Sequence, residues 1–242
     1  MTPPAVNVTL RVPGPWAHPK ELAQRLPAGC RLRPDALELD DGTRIEFSAV
    51  PADDQFAEVF AGACRQPPTA AERTVVNGYT VNVLLHGPGG SKAAAHAVMR
   101  AAAAIVEAGG AGVFIDNSAM AHGGENWRAM TADGGPDALS FAFASIIRGK
   151  AEVWTMGMHV LGLPEVVMKR ADVEGGFDVV EMTRYLAAGD KPVGDGHVIA
   201  DLDGPRFKTL SEPDTFSKPG SPMHNPFGRL RLVSLRDIAE AN

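Results

Sequence analysis

Hydrophobic and polar positions first alternate over residues 6–12, where Val6, Val8, Leu10 and Val12 interleave with Asn7, Thr9 and Arg11. A period of two puts the apolar set on one face, which predicts a half-buried strand. Residues 18–26 predict a short helix closed by Pro27 and Gly29, and Asp40-Asp41-Gly42 between apolar runs predicts a hairpin. A helix with Phe56, Val59 and Phe60 on one side follows, ended by Gln66-Pro67-Pro68. Residues 79–85 then predict a strand, Gly87-Pro88-Gly89-Gly90 a turn, and residues 91–108 an alanine-rich helix. Alanine lets such a helix lie close on a sheet. Gly109-Gly110 stops it before a strand at 112–115.

Beyond Asp133-Gly134-Gly135-Pro136 the pattern predicts a helix bearing Leu139, Phe143, Ile146 and Ile147. Strands at 152–160 and 166–168, a helix at 177–188, and strands at 198–202 and 230–235 follow. Residues 211–226, rich in Pro, Ser and Gly, read as a long surface loop. Strands and helices mix without strict alternation, so the expected fold is α+β, with two mixed sheet-plus-helix lobes packed together. The expected division is an N-terminal lobe over 1–131 and a C-terminal lobe over 132–242.

Composition narrows the function classes. The 242 residues carry 23 Lys+Arg against 29 Asp+Glu, a net charge of −6, with no concentrated basic stripe. Nucleic acid is therefore not the expected partner. No run approaches 18 apolar residues, and the N-terminus lacks a basic region followed by an apolar one, so neither a membrane span nor a signal peptide is expected. With only Cys30 and Cys64, two free thiols in the cytoplasm are the expectation.

Motifs for chemistry are sparse. Gly89, Gly90 and Ser91 stand before a helix N-terminus, where free amides suit an anion. Neither the Walker nor the dinucleotide-binding pattern is present, however, and a tight turn with Ser91 as helix cap is the plainer reading. No His-Glu-x-x-His or Cys-x-x-Cys spacing occurs, so no metal and no cofactor is expected. Met156, Met158 and His159 suit a soft metal, but strand alternation would put the methionines and His159 on opposite faces. Asp201 and Asp203, following Asp195, sit on one strand face as solvated carboxylates or as a cation site. The polar stretch 116–127 follows a strand end and carries Asn117, His122 and Trp127.

The run Trp154-Thr155-Met156-Gly157-Met158-His159-Val160-Leu161-Gly162-Leu163-Pro164-Glu165-Val166 resembles the C-terminal module of the uncharacterised bacterial DUF4261 family. Val193-Gly194-Asp195-Gly196-His197, Asn225-Pro226-Phe227-Gly228-Arg229-Leu230 and the 110–127 segment look similar to proteins of that group, and the likeness centres on residues 150–235. The resemblance implies no activity.

Two functions are expected from different classes. The preferred one is a non-catalytic binding or interaction protein whose partner is another protein or a small molecule. The other is a small-molecule or metal-dependent enzyme with a site between the lobes. Ligand-contact candidates for that site are Asn117, His122, Trp127, His159 and Glu165.

Overall fold

The alternation in the first strand is realised directly. In β1 (Asn7–Gly14), Val8, Leu10 and Val12 are fully buried, and Thr9 and Arg11 face the other way. Arg11 is held there by Asp116 through two bonds of 2.7 and 2.8 Å. The computed structural model describes residues 4–174, 178–200 and 206–240. Within them the chain forms an α+β fold of two mixed lobes.

The first sheet adds β2 (Arg31–Leu32), β3 (Ala36–Glu38), β4 (Arg44–Pro51), β5 (Val81–Pro88), β6 (Gly112–Ile115) and β7 (Met120–Gly123). Its order is β2-β3-β4-β5-β1-β6-β7, antiparallel at every pairing. The Asp40-Asp41-Gly42 turn joins β3 to β4, with the Gly42 N–H donating to Leu39 O at 3.0 Å. The helices of this lobe are α1 (Pro19–Arg25), α2 (Phe56–Ala63), α3 (Ala70–Asn77) and α4 (Lys92–Glu107). Ala95, Ala101, Ala102 and Ala104 of α4 are buried against the sheet, so its alanine face does permit the close approach. The other sheet face is covered by α2 and α3, through Phe60 and Val76.

A further helix, α5 (Gly124–Asp133), packs on α4, β6 and β7 of the first lobe, and the second lobe contains α6 (Pro136–Phe143), β8 (Ser145–Arg148), β9 (Glu152–Met156), a 3-10 turn (Met158–Leu161) and β10 (Glu165–Lys169). It continues with α7 (Arg170–Glu174), α8 (Val179–Ala188), β11 (Val198–Ala200), β12 (Arg206–Glu212), β13 (Arg229–Ser234) and α9 (Leu235–Glu240). The sheet order is β11-β12-β13-β10-β9-β8, with β10 and β13 parallel and the other pairs antiparallel.

Several expectations are corrected here. The helix drawn through Ile146 and Ile147 ends at Phe143, and both isoleucines pair with β9 as strand residues. The strand expected over 152–160 stops at Met156, because Gly157 turns the chain at φ +110. A side chain there would be driven against Phe143 O, so only glycine fits. Met156 and Met158 therefore do not share a strand face. Strand β12 begins in a stretch assigned no element and runs into the first two residues of the surface loop expected over 211–226, and that loop contains the buried Asn225. Phe177, Asp201, Asp203 and the end of the expected 198–202 strand lie outside the described residues.

The lobes share one core: Leu139, Phe143, Val160, Leu161 and Ala187 pack in the same cluster as Val98 and Met99. Gly90 N–H donates to Val160 O at 2.9 Å. Lys92 Nζ donates to Ala187 O at 2.8 Å and Ala188 O at 3.2 Å, placing a cation at the C-terminus of α8 where the helix dipole favours it.

Candidate functional site

The junction of the two sheets buries a continuous chain of polar side chains. Its carboxylate is Glu165, the first residue of β10, only 4% exposed. Oε2 accepts from Thr155 Oγ1 at 2.7 Å, and Oε1 accepts from Gly157 N–H at 3.0 Å and Asn225 Nδ2 at 2.9 Å. His159 Nδ1 lies 3.4 Å from the same Oε1. Thr155 Oγ1 in turn accepts from Val166 N–H at 2.8 Å, so β9 and β10 are tied by side chains as well as backbone. A buried carboxylate is tolerable only with this kind of satisfaction.

The other side of the His159 ring continues the chain. Nε2 is 3.0 Å from Pro222 O and 3.2 Å from Asn117 Nδ2. Asn117 sits in the turn between β6 and β7, beside Ala119 at φ +49. Its Oδ1 accepts from Thr9 N–H at 3.0 Å, and Nδ2 donates to Asn7 O and Pro222 O, each at 2.9 Å. One asparagine thus joins β1 of the first sheet to the 213–228 loop, and through His159 to the second sheet.

Of the five contact candidates, the structure brings together Asn117, His159 and Glu165. His122 and Trp127 belong elsewhere. His122 Nε2 is 3.0 Å from Ala142 O, and its ring lies against Trp127 and Phe141. Trp127 is fully buried and donates its Nε1–H to Met99 O at 3.1 Å, as a core anchor does. Among the described residues His122 and His159 share no hydrogen-bond partner. The Gly89 amide donates to Val6 O at 2.8 Å within the first lobe and the Gly90 amide to Val160 O at 2.9 Å across to the second, so both are spent on the chain itself instead of an anion. Ser91 caps α4, its Oγ accepting from Ala94 N–H at 3.2 Å.

Burial pushes the His122 imidazole down from its ordinary 6.5 to about 4; the Ala142 carbonyl opposes the shift and Arg65 adds to it. The ring is therefore neutral in the folded protein where the unfolded chain would protonate it. Stability is complete above pH 6.5 and falls as pH drops through the window down to about 4, because the unfolded state binds the extra proton. The loss expected across that window is on the order of 3 kcal/mol. Urea unfolding of the wild type and His122→Phe at matched pH values checks this: the acid-dependent loss should be smaller in the variant. Equal losses would show that another group is responsible.

Above the network lies a pocket of about 350 Å³, whose lining includes Asn7, Thr9, His159, Ser221, Pro222 and His224. A second hollow, of about 310 Å³, holds Glu72 and Arg128. Its Glu72 carboxylate already accepts from Thr69 and Glu125 N–H groups at 2.7 and 3.0 Å. Among the described residues no group of three or more His, Cys, Asp or Glu is placed to hold a metal ion. No helix among them is long and apolar enough to cross a membrane.

Thr155, Pro222, His224 and Asn225 were not among the sequence candidates. Asn225 had a visible signal, an amide side chain in the Asn225-Pro226-Phe227-Gly228 turn, but turn asparagines ordinarily serve their own backbone. Comparison with known protein families, curated proteins and solved structures returned no match.

Proposed function

We propose that this chain is a non-catalytic binding protein that holds a small polar molecule in the pocket at the junction of its sheets. The observation that carries the reading is the satisfaction of the network beneath that pocket. Both Glu165 oxygens are filled by donors of the chain itself, and both His159 ring nitrogens have protein partners within 3.4 Å. A general base needs a nitrogen within reach of its substrate's proton. His159 instead forms part of a stiff floor, and stiffness lowers the ordering cost of binding; the pocket's other imidazole, His224, has no hydroxyl or thiol of the described residues hydrogen-bonded to its Nε2 that it could activate. The pocket volume lies near the lower end for small-molecule sites. Two cysteines without a disulfide are in keeping with the reducing cytoplasm. The resemblance to the DUF4261 family adds no activity to this reading.

The test is native mass spectrometry of untagged protein, followed by thermal-shift screening of the retained species. Asn7 is exposed, lines the pocket and gives the network only its backbone carbonyl, so Asn7→Trp fills the space without removing any of the network's side chains. The variant is expected to lose the ligand-induced shift while its unliganded stability stays within about 0.5 kcal/mol of wild type. Ligand binding that survives Asn7→Trp would place the site elsewhere. Turnover in a substrate screen, lost on changing one pocket residue, would overturn the non-catalytic reading in favour of an enzyme.

A further inference from the structure

The 213–228 loop contains a second carboxylate–imidazole pair, on the pocket side of the network. Asp214 is almost wholly buried, its side chain 3% exposed. Its Oδ1 accepts from Phe216 N–H at 2.9 Å and its Oδ2 from Asn225 N–H at 3.0 Å. That same Oδ2 lies 3.1 Å from His224 Nδ1, and Ser217 O approaches the same nitrogen at 3.3 Å. Two acceptors around Nδ1 require that nitrogen to carry the proton. The tautomer is thereby set, since the hydrogen bond at one ring nitrogen decides the state of the other. In the neutral ring Nε2 then carries the lone pair, and it has no partner among the described residues.

His224 lines the pocket, and so does Ser221, whose Oγ accepts from Met223 N–H at 3.2 Å and keeps its own hydrogen for donation. Among the described residues the lining holds no Lys, Arg, Asp or Glu, while Val6, Pro222 and Pro226 supply apolar wall. A phosphate or carboxylate would lose hydration there without gaining a counter-charge. A lone imidazole nitrogen is also too few ligands for a metal. A hydroxyl group both donates and accepts, which matches an acceptor at His224 and a donor at Ser221.

Resting on the binding reading above, we infer that Asp214 and His224 form the recognition pair of this pocket, with His224 Nε2 accepting a hydrogen bond from a small neutral polyhydroxylated ligand. Asp214 is the positioning residue: it touches no ligand and acts by holding the ring and its tautomer.

The experiment titrates full-length protein by calorimetry with glycerol, inositol and neutral monosaccharides, and with sugar phosphates and sugar acids as charged counterparts. Neutral members are expected to bind and charged ones not. His224→Phe keeps the ring and removes the acceptor, and should weaken binding about tenfold, the size of one good hydrogen bond. Long-range 1H–15N NMR of the wild type reads which ring nitrogen is protonated, and needs no variant to fold. A bare Nε2 whose resonance moves on adding ligand is the expected result. A protonated Nε2, or binding unaltered in His224→Phe, would overturn the recognition pair while the pocket stands. Charged members binding in place of neutral ones would overturn the ligand class. Binding indifferent to Asn7→Trp would remove the pocket reading and this inference together.

Discussion

Glu165→Ala is expected to cost about 3–5 kcal/mol of folding stability, the range for stripping one partner from a buried charged network. The magnitude follows from what is left behind. Thr155 Oγ1, Gly157 N–H and one Asn225 amide hydrogen lose their acceptor at 2.7, 3.0 and 2.9 Å, and His159 loses the carboxylate beside Nδ1. Each orphaned buried donor carries a desolvation penalty of about 1–3 kcal/mol, partly relieved by water entering the space. Glu165→Gln keeps an oxygen and the shape, so it should lose less, about half as much. The damage should also be local first, because Asn225 fastens the 213–228 loop through Glu165 and Leu163 O. Denaturant unfolding gives the total, and limited proteolysis should show cleavage within 213–228 of the alanine variant before global unfolding. A loss below about 1 kcal/mol would mean that the network contributes little beyond its neighbours' packing.

Gly157→Ala should be comparably severe, at about 3–5 kcal/mol, for a backbone reason. The residue sits at φ +110, where an L side chain is strained, and an added Cβ would press on Phe143 O and come within 2.9 Å of Ser118 Cβ. Phe143 O belongs to a helix end and Ser118 is buried, so neither can yield cheaply. Moving Gly157 would also pull its N–H from Glu165, which couples this prediction to the first. The two variants are therefore expected to be less than additive. Thermal and denaturant unfolding of Gly157→Ala tests the claim. Gly42→Ala is the control, since it shares a positive φ of +84 but would meet nothing within 4 Å. If both glycine variants lost the same small amount, contact with Phe143 O would not be the cause.

Much of the local structure was legible in the residues. Alternation announced β1, Asp40-Asp41-Gly42 announced the β3–β4 hairpin, and alanine content with Ser91 as cap announced α4. These depend on interactions within a few residues, which periodicity and capping chemistry record. The misread boundaries share a different cause. Ile146 and Ile147 continued a helical spacing from Phe143, yet pairing with β9 claimed them as strand. Apolar β-branched residues suit either element, and the partner strand decides. Met156 to His159 looked like one strand because the turn at Gly157 depends on how close Phe143 O approaches, a contact 14 residues away in the chain.

The candidate site divides the same way. Composition and residue pattern by themselves determined an α+β chain with an acidic balance, no span-length apolar run, and polar residues concentrated after the 112–115 strand and around Gly157 to Glu165. They could not say which of those polar groups meet. Asn117 and His159 are 42 residues apart and touch only because β1, the β6–β7 turn and the 3-10 turn converge; His122, five residues from Asn117, faces Ala142 instead. Pro222, His224 and Asn225 enter through a loop whose composition resembles any surface connection. Hydrogen bonding between distant residues leaves no period in a sequence, because it is set by how sheets stack and loops return, and that was decided by tertiary packing alone.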